Sequence, residues 1–235
     1  MRALSERQHG IIEFIIRDYI HTAQPVASER IRKRARLSAS TATIRNEMGM
    51  LADNGLLKQP HASSGRIPTQ KAYRYFVNNC IEQARYLFQE ERGVSVWPQE
   101  ECALTGRIET FTDELALFGA LGVFGKERRV IVRGVKSFVA QPELRSNTTM
   151  LADFAYLLDH IDEALWEYRS ASIRSRKRVA VFIGKENPMR AMHSFSVFCN
   201  AGRTQGRDVV FLSLGPMRMD YERALDILSS SLLTV

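Results

Sequence analysis

The chain has 235 residues, of which 45% are hydrophobic and 25% are charged. This balance is typical of a folded protein with one or two domains, and it excludes general disorder. No stretch approaches the roughly 20 uncharged apolar residues of a membrane-spanning helix, and the first ten residues lack the apolar segment of a signal peptide. We therefore expect a cytoplasmic protein with no membrane partner.

The positive charge is concentrated in the first third of the chain. Residues 1–80 contain 13 Lys/Arg and 6 Asp/Glu and carry the whole net charge of +7, whereas the remaining residues contain 20 of each sign. A basic module joined to a neutral one is typical of a polyanion-binding domain followed by a regulatory or assembly domain. A basic surface that contacts only solvent is the alternative interpretation.

A first helix is predicted after Ser5, because Ser5 and Gln8 fit a capping box. The apolar residues that follow recur at helical spacing and give one buried face: Ile11, Ile12, Ile15, Ile16, Tyr19 and Ile20. Ser28 is suited to cap a short second helix that runs through Ile31 to about Arg36. A third helix is predicted from residues 38–40 to Asn54 and Gly55, with Ile44, Met48 and Leu51 on its buried side.

A hairpin is predicted after the third helix. Short extended segments at 56–59 and 66–68 flank the polar, turn-forming stretch 61–65, which predicts a flexible tip. Thr69 then caps a long amphipathic helix. The order of three helices, a hairpin and a further helix predicts a winged helix-turn-helix domain over residues 1–82.

The rest of the chain is predicted to be a helix extension and linker at 83–105 and an α+β domain at 106–235. Residues 108–121 and 150–168 have helical patterns, residues 129–135 resemble a strand, and a last helix is expected at 220–232. Three β-rich runs occupy residues 179–183, 195–199 and 209–214. Gly119, Gly122 and Gly125 lack a phosphate-loop pattern, so they indicate close helix packing or a loop.

The third helix carries side chains suited to reading DNA bases. In a helix-turn-helix the second helix of the motif enters the major groove, and its first turns face the base edges. The helical phase places Arg45 and Thr43 on the flanks of the face opposite the core and Asn46 on that face. Arg45 can pair with guanine, Asn46 with adenine, and the methyl group of Thr43 can contact thymine. Ser38, Ser40 and Thr41 are suited to phosphates at the helix start, and ordinary capping or solvated polar residues are the alternative interpretation.

The hairpin tip offers a second set of candidate DNA contacts, namely His61, Ser63, Ser64 and Arg66. A slender basic loop beside a recognition helix can follow the phosphates or place an arginine in a narrow minor groove. A mobile surface loop is the alternative.

The same segments resemble a known family. The runs ATIRNEM at 42–48 and SGRIPT at 64–69 resemble the N-terminal domain of the heat-inducible transcription repressor family, HrcA, and the resemblance covers nearly all of residues 2–78. At the other end, IGKENP at 183–188 and GPMRMDY at 215–221 resemble two turns of the family's GAF-like domain. The resemblance implies an α+β chain with a reduced GAF-like regulatory or assembly domain, which lacks most of the family's inserted dimerisation subdomain.

The resemblance also implies a function in transcription regulation and the stress response. A homodimer would bind double-stranded DNA at an inverted-repeat operator upstream of chaperone operons and release it on heat shock, with chaperonin as a co-regulator. A protein- or metabolite-binding sensor module with a nonspecific DNA-anchoring basic domain is the alternative function. An RNA-binding winged helix is disfavoured, because no aromatic stacking platform lies near Arg45.

The sequence predicts neither enzymatic activity nor a cofactor or metal. Cys80, Cys102 and Cys199 are far apart and lack zinc-site or redox-pair spacing, and His160 and His193 stand apart from any metal-ligand cluster. Asn187, Arg218 and Asp220 lie at the family's turns, where we expect turn capping rather than ligand binding. Two apolar helix faces are candidates for the dimer contact, or are internal core: Tyr73, Phe76, Val77 and Ile81 in the first, and Phe111, Leu115 and Phe118 in the second.

Overall fold

The computed structural model describes residues 4–35, 37–83, 106, 109, 111–115, 117–125, 128–175, 179–204 and 206–232. The chain divides into two compact units, Met1–Cys80 and Ile81–Val235. The predicted division at residues 82 and 105 stays a prediction, and the predicted linker from residue 84 onward lies outside the described residues.

The first unit has the predicted order of elements. It contains α1 (Glu6–Thr22), α2 (Ser28–Arg34), α3 (Thr41–Asp53), β1 (Leu57–Lys58), β2 (Ile67–Pro68) and α4 (Gln70–Gln83). The two strands pair antiparallel, Leu57 opposite Pro68 and Lys58 opposite Ile67, and form the wing. Thr69 caps α4 as predicted, because its Oγ1 accepts a hydrogen bond from the N–H of Ala72 at 3.3 Å.

The core of this unit forms where the apolar sides of the helices meet. The Ser5 capping box begins α1 as predicted. The buried side chains come from α1, α3 and α4, and they include Ile11, Ile12, Ile15, Ile16, Ile44, Met48, Leu51, Tyr73, Phe76 and Val77. The α4 residues that were candidates for a dimer contact are therefore internal core, apart from the half-buried Ile81.

The start of α2 differs from the prediction. Ala27 is the N-cap residue, its side chain makes no capping hydrogen bond, and Ser28 is the first helical residue. The helix ends at Arg34 because Ala35 is extended. Helix α2 is held instead by Arg30, whose Nε and Nη2 donate to Oδ1 of Asp18 in α1 at 3.0 and 2.6 Å. An ion pair between helices thus replaces the expected cap.

The second unit is an antiparallel sheet with helices, as predicted. Within the described residues the strands are β3 (Phe118–Phe124), β4 (Arg128–Arg133), β5 (Val179–Ile183), β6 (Phe195–Thr204) and β7 (Arg207–Pro216), in the spatial order β4-β3-β7-β6-β5. The helices described from end to end are α5 (Val135–Val139), α6 (Pro142–Ser146), α7 (Thr148–Asp159), α8 (Ile161–Ser175) and α9 (Tyr221–Leu232). Residues 184–186 and 190–192 form short 3-10 turns.

One side of the sheet forms the main core of this unit. Its inward residues alternate along the strands, as a period of two requires: Phe118 and Ala120 in β3, Val197 and Cys199 in β6, and Leu212 and Leu214 in β7. Phe154, Leu157, Leu165 and Tyr168 of α7 and α8 belong to the same cluster. On the other side, the Phe111 ring meets Phe211 edge-on at 5.4 Å.

The prediction of a helix through residue 121 is wrong, because residues 118–124 form the strand β3 beside the central strand β7. Gly119 and Gly122 lie in this strand, and Gly125 lies in the loop that follows it. A side chain at Gly122 would come within 3.0 Å of Leu165, so the glycine allows α8 to lie close to the sheet. In the second candidate dimer face, Phe111 and Phe118 are each 1% exposed and belong to the core, and Leu115 is half-buried.

Two smaller predictions are also corrected. The single helix predicted from Met150 to Tyr168 is two helices, since α7 ends at Asp159 and α8 begins at Ile161. The strand predicted to reach Val135 ends at Arg133. Gly134 follows with a φ of 78°, which an L side chain rarely adopts, so the chain turns there into α5.

Candidate DNA-binding surface

Helix α3 presents the predicted base-reading side chains to solvent. Ile44, Met48 and Leu51 are buried on one side, whereas Arg45 and Asn46 are exposed and Thr43 is half-buried. The exposed pair lies in the first two turns, where a recognition helix meets the base edges. The Arg45 guanidinium and the Asn46 carboxamide therefore lie outside the core, on the exposed side of α3.

The start of α3 is fixed by Ser40, which is its N-cap residue. The Ser40 Oγ accepts a hydrogen bond from the Thr43 N–H at 3.1 Å and lies 2.9 Å from Thr43 Oγ1. Ser38 is exposed just before this turn. Ser40 thus has the capping role that was its alternative interpretation, and the two hydroxyls stand together at the positive end of the helix dipole.

Thr41 is engaged within the protein. Its hydroxyl donates to Glu29 Oε2 at 3.0 Å, and the same carboxylate receives Arg32 Nε at 3.1 Å and Nη2 at 2.7 Å. The hydrogen bonds from Arg32 and then Thr41 lower the pKa of Glu29 to about 2. Thr41 therefore links α3 to α2, a contact that its predicted phosphate role did not include.

The tip of the wing is held by its own hydrogen bonds. Gln59 Nε2 donates to the carbonyl oxygens of Ala62 at 2.7 Å and Ser64 at 3.0 Å. The Ser64 Oγ donates to the His61 carbonyl oxygen at 2.7 Å and accepts from the His61 N–H at 3.0 Å. Gln59 and Ser64 therefore shape the tip, which leaves the exposed side chains of His61 and Ser63 at its surface.

The base of the wing is fastened to the segment between α1 and α2. Val26 and Arg66 exchange two backbone hydrogen bonds, each of 2.9 Å, as an isolated antiparallel bridge. A side chain at Gly65 would lie 2.4 Å from the carbonyl carbon and oxygen of Val26. Only glycine fits this close approach of two backbones. The contact fixes where the half-buried Arg66 leaves the wing.

A groove of about 430 Å³ lies between α3 and the wing. Its lining residues include Arg45 and Met48 of α3, Ser28 of α2, and Gln59, Ser63, Ser64, Gly65 and Arg66 of the wing. Two arginines from separate elements thus face one concave surface. This arrangement can hold an anionic backbone while the exposed part of α3 meets the bases.

The structure therefore brings together Arg45, Ser63, Ser64 and Arg66 at one groove, with Asn46 exposed on the same helix as Arg45. It places Ser38, Ser40, Thr41 and Thr43 at the start of α3, and His61 at the wing tip. The predictions missed Gln59, Glu29 and the Gly65 contact. A glutamine before a loop of small polar residues was the available signal for Gln59.

The second unit contributes structural polar contacts. Asn187 is buried, and its Nδ2 donates to the carbonyl oxygens of Gly184, Met192 and Phe195 at 2.8 to 3.0 Å. Its Oδ1 accepts from the Tyr168 hydroxyl at 2.7 Å. Arg218 Nη2 donates to Glu143 Oε2 at 3.1 Å. The Asn187 contacts agree with the turn-capping interpretation, whereas Arg218 forms an ion pair with a residue of α6. Asp220 has the capping role, because its Oδ1 accepts from the Arg223 N–H at 3.1 Å.

Cys199 in the second unit is a buried free cysteine. Burial raises the pKa of the Cys199 thiol to about 12, which keeps it protonated and unreactive. In the described part of the chain, no group of three or more His, Cys, Asp or Glu could hold a metal ion. No helix in that part is long and apolar enough to cross a membrane.

Both units match models of one protein family. A model described as "HrcA protein C terminal domain" matches residues 74–225, and one described as "Winged helix-turn-helix transcription repressor, HrcA DNA-binding" matches residues 3–82. Together they cover nearly the whole chain. The family resemblance seen in the ATIRNEM and SGRIPT runs is confirmed.

Curated relatives match mainly through shorter segments. The heat-inducible transcription repressor HrcA of Chloroflexus aurantiacus is 40% identical over 115 residues, which cover 44% of this chain and 31% of that protein. The protein of the same name from Brevibacillus brevis is 51% identical over 79 residues, which cover 34% of this chain and 23% of that protein. The chain thus matches less than a third of the length of these relatives.

A solved structure has the same fold. A crystal structure of a hypothetical protein at 2.2 Å resolution is 16% identical, with a TM-score of 0.75 over 97% of this chain and 95% of that chain. The predicted fold class, an N-terminal winged helix-turn-helix followed by a GAF-like α+β domain, is confirmed by this likeness and by the family models.

Proposed function

The chain belongs to the HrcA family of winged-helix transcription repressors, and on this basis we propose that it represses heat-shock chaperone operons by binding operator DNA. The observation that carries the proposal is the surface formed by α3 and the wing. There, Arg45 and Asn46 are exposed beside a groove that Arg66 also lines. The relatives that support it are named heat-inducible transcription repressors.

Recognition is proposed to divide between the helix and the wing. Arg45 would donate two parallel hydrogen bonds to guanine O6 and N7, and Asn46 would pair with adenine in the major groove. Arg66 and the hydroxyls at the start of α3 would contact phosphates, which position the helix without reading sequence. The wing tip, with His61 and Ser63, would follow the adjacent backbone.

Repression is proposed to require two copies of the chain. A single winged-helix domain contacts about one half-site, and an inverted repeat presents two half-sites related by a two-fold axis. A homodimer on such a repeat in the cytoplasm would cover the promoter. Release on heat stress and co-regulation by chaperonin are part of the proposal because family membership supports them.

The proposal is tested by competition between duplexes. The full chain is titrated with an inverted-repeat duplex from a chaperone promoter of its own genome and with a scrambled duplex of the same composition. A specific repressor should prefer the repeat by about 10³-fold or more at physiological salt. Equal affinity for both duplexes would refute the proposal and favour the alternative of a sensor module with a nonspecific basic anchor.

A further inference from the structure

The exposed side of α3 continues beyond Asn46 through small and apolar residues. At 100° per residue, the residues within about 60° of Asn46 lie opposite the buried side of the helix, and they are Ala42, Thr43, Gly49, Met50 and Asp53. Ala42 and Met50 are exposed, and Gly49 is half-buried. The stretch from Ala42 to Met50 is about 12 Å long, which matches about three or four base pairs of a DNA strand. This part of α3 is therefore long enough to reach beyond the bases that Arg45 and Asn46 would read.

Gly49 lies in the interior of α3, where glycine is an unfavourable residue. Glycine lowers the stability of a helix relative to alanine, because it loses more conformational freedom on folding. The fold does not require it, since a Cβ at this position would meet no atom of the described residues within 4 Å, apart from its own stretch of α3. Gly65, by contrast, is required by the backbone of Val26. The space beside Gly49 is therefore open to a molecule outside the chain.

The position of Gly49 bears on how deeply α3 enters the major groove. Gly49 follows Arg45 by four residues and Asn46 by three, so it is their neighbour one turn further along the helix. Asparagine has a short side chain, and its carboxamide reaches an adenine only where the helix backbone lies close to the base edge. A glycine one turn away removes the side chain that would hold the backbone off.

Met50 supplies an apolar contact on the same side of the helix. It is the one large hydrophobic side chain that is exposed in the described part of the first unit, at 44%. Methionine is unbranched and polarizable, so it adapts to the shape of an apolar partner. The apolar feature of the major groove is the C5-methyl group of thymine. Met50 lies four residues after Asn46, which is about 6 Å further along the helix.

The acidic side chain beside this surface is directed away from it. Glu47 lies about 100° from Asn46 around the helix. Its Oε2 accepts a hydrogen bond from Gln8 Nε2 of α1 at 3.0 Å, and its Oε1 lies 3.6 Å from Nη1 of Arg7. The charge of Glu47 is thus compensated within the protein. The exposed carboxylate of Asp53 is repelled by phosphates, so the contact surface ends before it.

We propose that Gly49 and Met50 extend the base-reading surface of α3. Gly49 lets the helix lie close to the base edges, and Met50 contacts the C5-methyl group of a thymine in each operator half-site. The inference rests on the proposed function, since it requires that α3 enters the major groove. Gly49 is a positioning residue, and at this residue the chain gives up helix stability for a closer fit to DNA.

The first test separates stability from recognition at Gly49. Gly49→Ala should raise the urea concentration at which half of the protein is unfolded. The same variant should bind the inverted-repeat duplex about tenfold more weakly or worse, because the added methyl group holds Asn46 away from its base. Gly49→Leu should bind it more weakly still. Affinity for the scrambled duplex at low salt should change less than about twofold, because phosphate contacts tolerate a small shift.

Three results would overturn the role of Gly49. The first is a Gly49→Ala variant that binds the repeat as tightly as the parent. The second is an equal loss of affinity for the repeat and for the scrambled duplex. The third is a lower urea midpoint, which would show that the glycine serves the fold.

The second test replaces the thymines of a half-site by uracil, one at a time, which removes only the C5-methyl group. At one position the parent should lose about fourfold in affinity, the value of one buried methyl group. Met50→Ala should bind the thymine duplex more weakly by a similar factor and lose nothing further with uracil at that position. Leu151→Ala, which truncates an equally exposed side chain of α7, should behave like the parent.

The outcomes distinguish this inference from the proposed function. If Met50→Ala keeps the parent's sensitivity to uracil at every position, the thymine contact is overturned. If the parent prefers the repeat and both Gly49→Ala and Met50→Ala bind like the parent, the roles of the two residues fall and the proposed function stands. A parent without preference for the repeat would overturn the proposed function and this inference with it.

Discussion

Replacing Gly65 by alanine tests how the wing is positioned. The added Cβ would lie 2.4 Å from the carbonyl carbon and oxygen of Val26, and 2.8 Å from the amide nitrogen of Ala27. Ordinary contacts between such atoms are about 3.5 Å, so the wing must move away by about 1 Å. All three neighbours are backbone atoms, which cannot rotate aside as the end of a side chain can.

The magnitude follows from the two bonds that this movement breaks. Val26 and Arg66 exchange hydrogen bonds of 2.9 Å, and each contributes about 0.5 to 1.5 kcal/mol. Overpacking adds about 1 to 3 kcal/mol. Gly65→Ala should therefore lower the free energy of unfolding by about 2 to 6 kcal/mol. It should also weaken DNA binding, because Arg66 is displaced from the groove.

Urea unfolding followed by circular dichroism measures the change, and Gly49→Ala is the matched control. Gly49 lies inside α3, and a side chain there meets nothing within 4 Å. Alanine should therefore stabilise the protein by about 0.5 to 1 kcal/mol at that position. If Gly65→Ala unfolded at the same urea concentration as the parent, the close approach of the wing to Val26 would be refuted.

Further substitutions test the site and the core. Arg45→Ala should cost about 1 to 3 kcal/mol of operator affinity with an unchanged circular dichroism spectrum, and parental affinity would contradict the groove assignment. Arg66→Ala should reduce the slope of log K against log salt by about 0.9, measured by fluorescence anisotropy. Asn187→Ala should lower the free energy of unfolding by about 2 to 4 kcal/mol, since three carbonyl oxygens lose their donor; a smaller change in a urea melt would argue against this role. Arg32→Met should raise the pKa of Glu29 from about 2 towards its ordinary 4.5, as an NMR titration would show. Because the folded-state pKa of Glu29 is lowered, its stabilising contribution is present above about pH 4.5 and is lost as the pH falls towards 2.

The sequence predicted the first unit well because local signals agree there. The Ser5 capping box, the Ser40 cap and the apolar spacing of α3 are each decided by residues within one or two turns. The wing was also predicted, since the polar stretch between its strands is short. Exposure of Arg45 and Asn46 followed from helical phase alone.

The failures occurred where distant parts of the chain decide the structure. Apolar and polar residues do not alternate along 118–124, because both faces of β3 are buried. A continuous apolar run of this kind fits a buried helix as well as a buried strand. This segment is a strand because it pairs with β4 on one side and with β7 on the other. The local sequence of β3 does not show these two partners.

The same reason explains what was missed at the candidate site. Thr41 was assigned to phosphate because it lies at a helix start, but its hydroxyl binds Glu29, twelve residues earlier. Gly65 was interpreted as a flexible turn residue, whereas its small size is required by Val26, which comes from another segment. A single sequence shows the residue type at each position and does not show which backbone approaches it.

Quantitative footprinting of the full chain tests whether it binds one specific operator through α3. The DNA is the region upstream of the chain's own gene and of the chaperone operons in the same genome, at physiological salt. We expect protection of an inverted repeat whose half-sites lie about one helical turn or a multiple of it apart, and loss of that protection with Arg45→Ala. Uniform protection without a preferred site, or a footprint that Arg45→Ala leaves unchanged, would show that α3 does not read an operator.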